Sequence, residues 1–267
     1  MERWPEIRRD PRRLLDGASS VVSVAFNYRQ HNPYPAVAAY ALGEDYHKVL
    51  RRRLKAVARA LREEFGGEYR VCVDSAPILE RYWATRCGVG ERSPLSGNIV
   101  VQGVGSMVFL AEIITTLALP EYSCRPPLDP KVPEDTDLCE GDAIQAVDPR
   151  DYDVCPTGAL QPGGVVDARR CINYLTIERQ GEWSARERAL MSLPGAEGRV
   201  FGCDICQLAC RSNRGAACGV LPEFRPLDCL PELIEAMRSG NTDGVDFSKS
   251  PLSRGVRRKG AAEKDKD

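Results

Sequence analysis

Three cysteines within eight consecutive positions constrain the fold of this chain more than any other feature of its sequence. They are Cys203, Cys206 and Cys210, and they lie in the stretch VFGCDICQLACRSN at 200–213. The chain has 11 cysteines in all, and an odd number of thiols in a reducing compartment favours metal ligation or catalysis over a disulfide framework. We therefore expect a fold that brings thiols from separate segments together around a metal centre.

Two more cysteines complete a set of four with the C-x-x-C pair Cys203 and Cys206. Cys155 precedes proline in VCPTGAL, and Cys171 lies in DARRCINYL. A cysteine directly before proline, combined with a distant C-x-x-C pair, is typical of a 4Fe–4S cube, because proline fixes the turn and backbone N–H groups then face the sulfur. The spacing predicts that these four cysteines ligate one cube. A structural zinc ion, which usually uses two C-x-x-C knuckles, and four unrelated buried thiols are the alternatives.

Cys210 raises the question of a second cluster. In two-cluster ferredoxin folds the last cysteine of such a run ligates the other cube, together with cysteines upstream of the Cys-Pro pair. The positions ten, seven and four residues before Cys155 hold Gln145, Asp148 and Asp151 instead. We therefore expect one cube. Cys210 and Cys139 are the candidate ligands of a second one, with Cys124 and Cys218 as further thiols in an unusual spacing.

Composition excludes several classes of protein. Hydrophobic residues make up 43% and charged residues 28% of the 267 positions, as in a soluble globular protein, and no apolar run approaches the roughly 18–20 residues of a membrane span. The N-terminus has no apolar core of the kind that a secretory signal carries, so we expect a cytoplasmic protein without a membrane partner. The net charge of −1 does not indicate a nucleic-acid binder, although basic residues cluster at 48–62 and 254–259.

The first part of the chain alternates strand-like and helix-like patterns. Strands are predicted at 19–27, 68–74 and 98–103, and helices at 44–65, 75–88 and 105–120, the last capped by Ser106 and stopped before Pro120. This order indicates an α/β domain. Asp74 lies at the C-terminal end of the second predicted strand. Open α/β sheets bind ligands at the edge formed by the C-terminal ends of their strands. The alternative is that Asp74 caps a helix starting near Ser75.

Three further regions follow this domain, which we place at 1–120. Residues 121–154 form a proline- and acid-rich insertion without periodicity, 155–225 hold the clustered cysteines and short regular structure, and 226–267 form a short helical segment with a basic tail. The isolated thiols Cys72 and Cys87 are predicted to be packing residues. The predicted fold class is therefore α/β or α+β, with a small cysteine-rich domain after the larger one.

Several motifs together resemble one family, the epoxyqueuosine reductases, which complete queuosine at the wobble position of tRNA. The matching stretches are DYHKVLRRRLK (45–55), VDSAPILER (73–81), GVGSMVFLAEIITTLALP (103–120), CPTGAL (155–160), DARRCINYLTIE (167–178) and FGCDICQLAC (201–210). The resemblance implies an oxidoreductase with a cobalamin-binding α/β domain and a ferredoxin-like domain. It also implies 4Fe–4S clusters, two in the family, that pass single electrons from an external donor to base-off cobalamin. The substrate would be tRNA with a GUN anticodon.

The resemblance also implies roles for individual residues. Asp74 is the proton donor and contacts the cofactor; Asn173, where a serine is expected, Cys203 and Asp204 lie where the family contacts cobalamin; and Cys155, Cys171, Cys203 and Cys206 ligate the cluster nearest the cobalamin. Removing an epoxide oxygen requires two electrons and protonation of the departing oxygen. A carboxylic acid supplies that proton if burial raises its pKa toward neutrality.

The sequence departs from the family in three places. An acidic insertion replaces the C-x-x-C-x-x-C run upstream of CPTGA, the loop GERSPLSGN (90–98) lacks the family's glycine-lysine pair, and the helical repeats that often follow are largely missing. The basic segments 48–62 and 254–259 are then the candidates for contact with tRNA phosphates. The alternative functions are a cluster-binding electron carrier without cobalamin chemistry and a cobalamin-dependent reductase of a small substrate.

Overall fold

The computed structural model describes residues 5–120 and 149–256, and a three-stranded sheet flanked by helices forms its larger part. The strands are β1 (Ser20–Asn27), β2 (Tyr69–Cys72), β3 (Glu91–Arg92), β4 (Ile99–Val100), β5 (Val108–Thr115), β6 (Leu160–Gln161) and β7 (Val165–Val166). The α-helices are α1 (Pro5–Arg9), α2 (Tyr46–Phe65), α3 (Glu80–Arg86), α4 (Ala185–Met191), α5 (Ile205–Ala209) and α6 (Leu230–Ser239). None of the helices in these residues is long and apolar enough to cross a bilayer.

The sheet has the order β1-β5-β2, and β5 runs antiparallel to both of its neighbours. Ile113 of β5 lies opposite Val22 of β1 and Val71 of β2. This order brings the C-terminal ends of β1 and β2 to the same edge as the start of β5. The predicted mixture of helices and strands is confirmed, whereas the central pairing is antiparallel.

The stretch 105–120 was predicted to be a helix capped by Ser106, and this prediction is wrong because the stretch forms strand β5. Phe109 and Ile113 pack into the main core on one face, and Ile114 packs against Ile78 on the other. A strand buried on both faces has a continuous apolar run, which periodicity alone does not distinguish from a buried helix. The stretch forms a strand because β1 and β2 pair with its two edges and satisfy its backbone N–H and C=O groups.

Helix α2 confirms the amphipathic helix predicted at 44–65. Asp45 caps its N-terminus by accepting the backbone N–H of His47, and Gly66, with a φ of 67°, follows its last residue. Its apolar face, which includes Val49, Leu50 and Leu54, is buried in the main core. The strands predicted at 19–27 and 68–74 are confirmed as β1 and β2, and the one at 98–103 is reduced to the short strand β4.

Helix α3 begins at Glu80 rather than near Ser75, because residues 75–79 form bends and a turn instead of a helix. The helix packs on the face of the sheet that carries Cys72 and Ile114. Cys72 is fully buried there, and the half-buried Cys87 points its sulfur at the Val21 carbonyl oxygen, 3.6 Å away. Both contacts agree with the packing roles predicted for these two thiols.

The cysteine-rich part has short regular structure, as predicted. The β6-β7 hairpin, a π-helical turn at Tyr174–Glu178 and the helices α4 and α5 belong to it, and Ile172, Leu175 and Met191 form its small core. Helix α6 contributes Leu230 and Leu233 to the main core, so the segment after the cysteines packs back onto the first part of the chain. Residues 121–148 of the predicted insertion, Cys124 and Cys139 included, lie outside the described residues.

Candidate active site and cysteine cluster

A cavity of about 270 Å³ opens at the edge of the sheet where β1 and β2 end and β5 begins. Its lining includes the aromatic rings of Tyr28, Tyr46 and Phe109 and the polar side chains of Asp74, Glu80, Arg81, Asn98, Asn173 and Gln207. Tyr46 stacks on Phe109 with ring centroids 4.1 Å apart. Flat apolar surfaces beside convergent polar groups are typical of a ligand or cofactor site.

Asp74 lines this cavity just beyond the end of β2, where the strand pattern places it. It is the one non-glycine residue with a positive φ, 48°, in the ranges 5–120 and 149–256. Its side chain is 45% exposed, and Oδ2 lies 2.7 Å from Nε2 of His47 and 3.6 Å from Nη1 of Arg254. Since α3 begins at Glu80, the alternative reading of Asp74 as the cap of a helix near Ser75 is wrong.

His47 connects Asp74 to a second carboxylate. Its Nδ1 lies 2.6 Å from Oδ1 of Asp45, its Nε2 lies 2.7 Å from Oδ2 of Asp74, and its side chain is 3% exposed. A neutral imidazole has one N–H, so it cannot donate to both carboxylates. Burial lowers the pKa of His47, but the hydrogen bonds to Asp45 and Asp74 outweigh burial and raise the pKa above 6.5. The two carboxylates therefore favour the protonated form of His47, which can donate to both of them.

The contact with His47 also determines the charge of Asp74. Burial raises the pKa of this carboxyl, but the hydrogen bond and charge of His47, followed by the charge of Arg254, outweigh burial and lower the pKa below 3.8. The expectation that burial beneath a cofactor raises the pKa of Asp74 toward neutrality concerns the cofactor-bound site and stays a prediction.

Sequence reasoning missed His47, one of two histidines in the chain. The residue lies in the first turn of α2, where Asp45 both caps the helix through the His47 backbone N–H and orients the imidazole ring through Nδ1. The signal was the triplet DYH at the start of a basic amphipathic helix. Its second partner, Asp74, is 27 residues away, so only the packing of α2 beside the end of β2 reveals the contact.

Two glutamates that sequence reasoning did not single out lie behind Asp74. Glu80 lines the cavity, and its Oε1 accepts the backbone N–H of Asp74 at 2.5 Å. Burial, followed by the charge of Asp74, raises the pKa of Glu80 to about 7. Glu112 is fully buried in β5, and burial, followed by the charge of Glu80, raises its pKa to about 8. Neither carboxyl oxygen of Glu112 has a hydrogen-bond partner in the part of the chain that the structure describes.

The four predicted cluster ligands, Cys155, Cys171, Cys203 and Cys206, affect one another's pKa values. Burial, and then the charges of Cys203, Cys171 and Cys155, raise the pKa of Cys206 to about 12. The charge of Cys171 also acts on Cys203, and that of Cys155 acts on Cys171. The four thiols therefore act on one another electrostatically, whereas within the described ranges no three cysteine, histidine or acidic side chains lie close enough to hold one metal ion. Their assignment to one cluster stays a prediction.

Cys155 has the environment that the Cys-Pro pair predicts. The backbone N–H of Ala159 donates to its sulfur at 3.3 Å, and the Thr157 hydroxyl lies 3.4 Å from the same atom. Burial raises the pKa of Cys155, but the Thr157 hydroxyl and the surrounding backbone N–H groups outweigh burial and lower the pKa. The turn at Pro156 therefore favours the thiolate form, which is the form that binds metal.

Asn173 joins the cavity to the cysteine set. It lines the cavity, its Oδ1 accepts the backbone N–H of Cys203 at 3.1 Å, and its Nδ2 donates to the Cys203 carbonyl oxygen at 3.3 Å. The neighbouring Gly202 has a φ of 77°, and a Cβ atom at that position would lie 2.8 Å from Oδ1 of Asn173 and 2.7 Å from the Cβ atom of Ala38. A side chain at residue 202 would therefore push this contact apart.

Asp204 is buried away from the cavity. Its Oδ2 accepts the Ala39 backbone N–H at 2.6 Å, and its Oδ1 has no hydrogen-bond partner among the described residues. Burial raises the pKa of this carboxyl. Of the four residues that the resemblance places at the cofactor, Asp74 and Asn173 line the cavity, whereas Cys203 and Asp204 are not among its lining residues.

Cys210, the candidate ligand of a second cluster, ends helix α5 and is half-buried. Cys218 is exposed, and Cys139 lies outside the described residues. The assignment of Cys210 and Cys139 to a second cluster stays a prediction.

A cavity lined by polar side chains and a set of four thiols that act on one another, in a mixed α and β fold, are typical of an iron–sulfur protein. Two family models match the chain: "Epoxyqueuosine reductase QueG, DUF1730" over residues 8–75 and "4Fe-4S double cluster binding domain" over residues 152–213. The second match covers all four of these cysteines. It supports 4Fe–4S binding and disfavours the zinc alternative.

Comparison with curated relatives identifies the particular family. A protein named epoxyqueuosine reductase from Cyclobacterium marinum is 41% identical over 254 residues, which cover 92% of this chain and 75% of that protein. One of the same name from Escherichia coli K12 is 38% identical over 248 residues, which cover 88% of this chain and 60% of that protein. The chain belongs to the epoxyqueuosine reductase family, whose members are oxidoreductases, and it spans 60% to 75% of the length of these two relatives.

Solved structures agree with this assignment. An epoxyqueuosine reductase bound to an epoxyqueuosine-modified tRNA-Tyr stem loop has a TM-score of 0.67 and 27% identity, covering 98% of this chain and 70% of that one. The Bacillus subtilis epoxyqueuosine reductase, in a structure whose catalytic aspartate loop is swung out of the active site, has a TM-score of 0.66 and 27% identity with the same coverage.

Proposed function

We propose that this protein reduces epoxyqueuosine to queuosine at the wobble position of tRNA. The reaction converts an epoxide, two electrons and two protons into an alkene and one water molecule. The observation that carries the proposal is the position of Asn173, which lines the same cavity as Asp74 and holds the backbone of Cys203. One side chain would therefore link the proposed cluster, which supplies electrons, to the cavity in which the proton would be transferred.

The cluster that delivers electrons would be held by Cys155, Cys171, Cys203 and Cys206. The donor set suits a 4Fe–4S cube, because four thiols supply one ligand to each iron. The N–H groups that face the Cys155 sulfur are the kind of contact that tunes the reduction potential of a cluster. An external one-electron donor would reduce this cube.

Cobalamin is the cofactor proposed for the cavity. The apolar side chains of Ile99, Val108 and Leu110 and the amides of Asn98, Asn173 and Gln207, which line the cavity, suit the apolar face and the peripheral amides of a corrin ring. The volume of about 270 Å³ is below the roughly 300–1,000 Å³ of pockets that enclose their ligands, so the cofactor would extend beyond this cavity. When bound, reduced cobalamin supplies the electrons that open the epoxide.

Asp74 and His47 would supply the proton to the departing epoxide oxygen. Asp74 reaches the cavity, whereas His47 is buried behind it and holds a proton between two carboxylates. Transfer through Asp74 leaves His47 neutral, with Nδ1–H donated to Asp45. General acids placed in this way contribute roughly 10²–10⁴ to a rate.

The outer face of α2 is the proposed contact for tRNA phosphates. Lys55 and Arg59 are exposed on this face, whereas Arg52 and Arg53 form ion pairs with Glu223 in the short helical turn Pro222–Phe224. Arg51 donates to the Ser75 hydroxyl at 2.5 Å, so the basic face continues to the loop that carries Asp74. A polyanion bound along α2 would therefore reach the mouth of the cavity.

The experiment that tests the proposal is anaerobic purification followed by assays of iron, sulfide, cobalamin and activity. The proposal expects about four irons per chain, one cobalamin, and loss of one oxygen atom from epoxyqueuosine in tRNA when a strong reductant is added. A full complement of iron without corrin uptake or turnover favours the electron carrier instead. Turnover of the free nucleoside, without salt-sensitive retention of tRNA in a gel shift, favours the small-substrate reductase.

A further inference from the structure

The backbone of Asp74 is held in an unfavourable conformation by a residue from the next helix. A φ of +48° is in the left-handed region, which costs a residue with a Cβ atom of the order of 1 kcal/mol or more. The Asp74 N–H, which this conformation turns away from the β2 ladder, donates to Oε1 of Glu80 at 2.5 Å. Glu80 is the first residue of α3 and is anchored by the packing of that helix on the sheet.

The neighbouring residues are held from the opposite side. Arg51 of α2 donates to the Val73 carbonyl oxygen at 3.5 Å and to the Ser75 hydroxyl at 2.5 Å. The Asp74 side chain is oriented by His47 and Arg254, whereas its amide is oriented by Glu80. The side chain and the main chain of Asp74 are therefore anchored by different elements.

We propose that Glu80 is a positioning residue that keeps Asp74 facing the cavity by accepting its backbone N–H. The inference rests on the proposed function, in which Asp74 passes a proton to the epoxide oxygen. If Glu80 is lost, the peptide at Asp74 relaxes to negative φ, the carboxyl group leaves its position against His47, and the stored proton no longer reaches the cavity.

The charge of Glu80 strengthens this contact without being essential to it. The groups that face the Glu80 carboxyl are Asp74, His47 of α2, Arg81 of α3 and Glu112 of β5. An ionised carboxylate accepts a stronger hydrogen bond than a neutral oxygen does, but both accept one. A glutamine at this position keeps an acceptor oxygen of the same reach, so it should preserve most of the positioning and cannot donate a carboxylic proton.

The test measures hydrogen–deuterium exchange at the Asp74 amide by mass spectrometry with residue-level fragmentation, together with single-turnover rates on modified tRNA. The variants are E80A and E80Q, with E197A as an exposed glutamate control. In E80A the Asp74 amide should exchange at least about 10-fold faster and the single-turnover rate should fall about as much, because the acceptor of the Asp74 N–H is lost. E80Q should restore exchange protection to within about 3-fold of the wild type and recover most of the lost rate, since a neutral acceptor retains part of that hydrogen bond.

Unchanged Asp74 exchange in E80A would overturn the proposal. So would an E80Q rate as low as that of E80A despite restored protection, because that result would make Glu80 a proton donor. The exchange measurement needs no substrate. If exchange follows the expected order while the wild-type holoenzyme leaves epoxyqueuosine unchanged, the positioning role stands and the proposed function fails.

Discussion

Nε2 of His47 lies 2.7 Å from Oδ2 of Asp74, which places a buried imidazole directly behind the carboxyl group that faces the cavity. The contact lowers the pKa of Asp74 and raises that of His47. In the proposed function the general acid is therefore this pair of residues rather than Asp74 alone.

Replacing His47 with glutamine should reduce turnover by about 10²-fold, because the stored proton is lost while Asp74 keeps a polar neighbour. Cobalamin and cluster spectra should be unchanged, since His47 lies behind the cavity lining. Single-turnover rates on modified tRNA, with the spectra recorded on the same samples, measure both effects. A rate within about 3-fold of the wild type would remove His47 from proton transfer.

His47 should also make stability depend on pH. Its folded pKa is raised above the unfolded value of 6.5, so its contribution is fully present below pH 6.5 and is lost as the pH rises through the folded pKa. The free energy of unfolding of the wild type should exceed that of His47→Gln by more at pH 6 than at pH 9. Urea titrations of both proteins at the two pH values measure this difference, and a gap that widens toward pH 9 would contradict the assignment.

Asp74→Asn should abolish turnover and leave the iron content and cofactor spectra intact. The amide cannot take up and release the proton of His47, but it still fits beside the ring. Product analysis by mass spectrometry of digested tRNA measures the loss. Wild-type turnover in this variant would exclude Asp74 from the mechanism.

Cys171→Ser should lose most of the iron, because one of four predicted thiolate ligands is replaced by a poor ligand. Cys72→Ser is the matched control, since Cys72 is buried in the small core under α3 and remote from the cluster set. Iron and sulfide assays after anaerobic purification compare the two variants. Equal iron loss in both would indicate misfolding instead of lost ligation.

Glu112→Gln should flatten the pH dependence of stability. The folded pKa of Glu112 is about 8, above the ordinary value of 4.5, so ionisation of this residue destabilises the folded state progressively as the pH rises from about 4.5 to about 8. The stability of the variant relative to the wild type should therefore increase between pH 5 and pH 8. Denaturant unfolding at the two values provides the comparison, and a constant difference would show that the folded pKa of Glu112 is not raised above its unfolded value.

The double variant Lys55→Glu, Arg59→Glu should weaken tRNA binding and lower the salt dependence of binding, with the slope of log K against log salt falling by about 2. Arg238→Glu, an exposed change on α6, is the control for a general charge effect. Gel shifts over a range of salt concentrations measure the slope. Equal weakening by the control would mean that α2 is not the contact surface.

The cysteine set shows how far sequence reasoning reaches. The Cys-Pro pair, Cys171 and the C-x-x-C pair could be recognised because ligand chemistry limits which residues and spacings can hold a cube. The prediction for 105–120 failed because a strand buried on both faces has the composition of a buried helix. His47 was missed because its partner Asp74 is 27 residues away in sequence. Glu80 was missed because it contacts the backbone N–H of Asp74 and not its side chain.

The sequence by itself determined the amphipathic helix α2, the strands β1 and β2 and the position of Asp74 at the end of a strand, because each depends on local spacing and side-chain chemistry. For the same reason it predicts the four cysteine ligands. Tertiary structure decided that β5 pairs between β1 and β2, that His47 meets Asp74, and that Asn173 links the cavity to Cys203. The physical reason is that strand pairing, burial and hydrogen bonds between side chains depend on which surfaces pack together. The residues involved are far apart along the chain, so no local sequence pattern predicts these contacts.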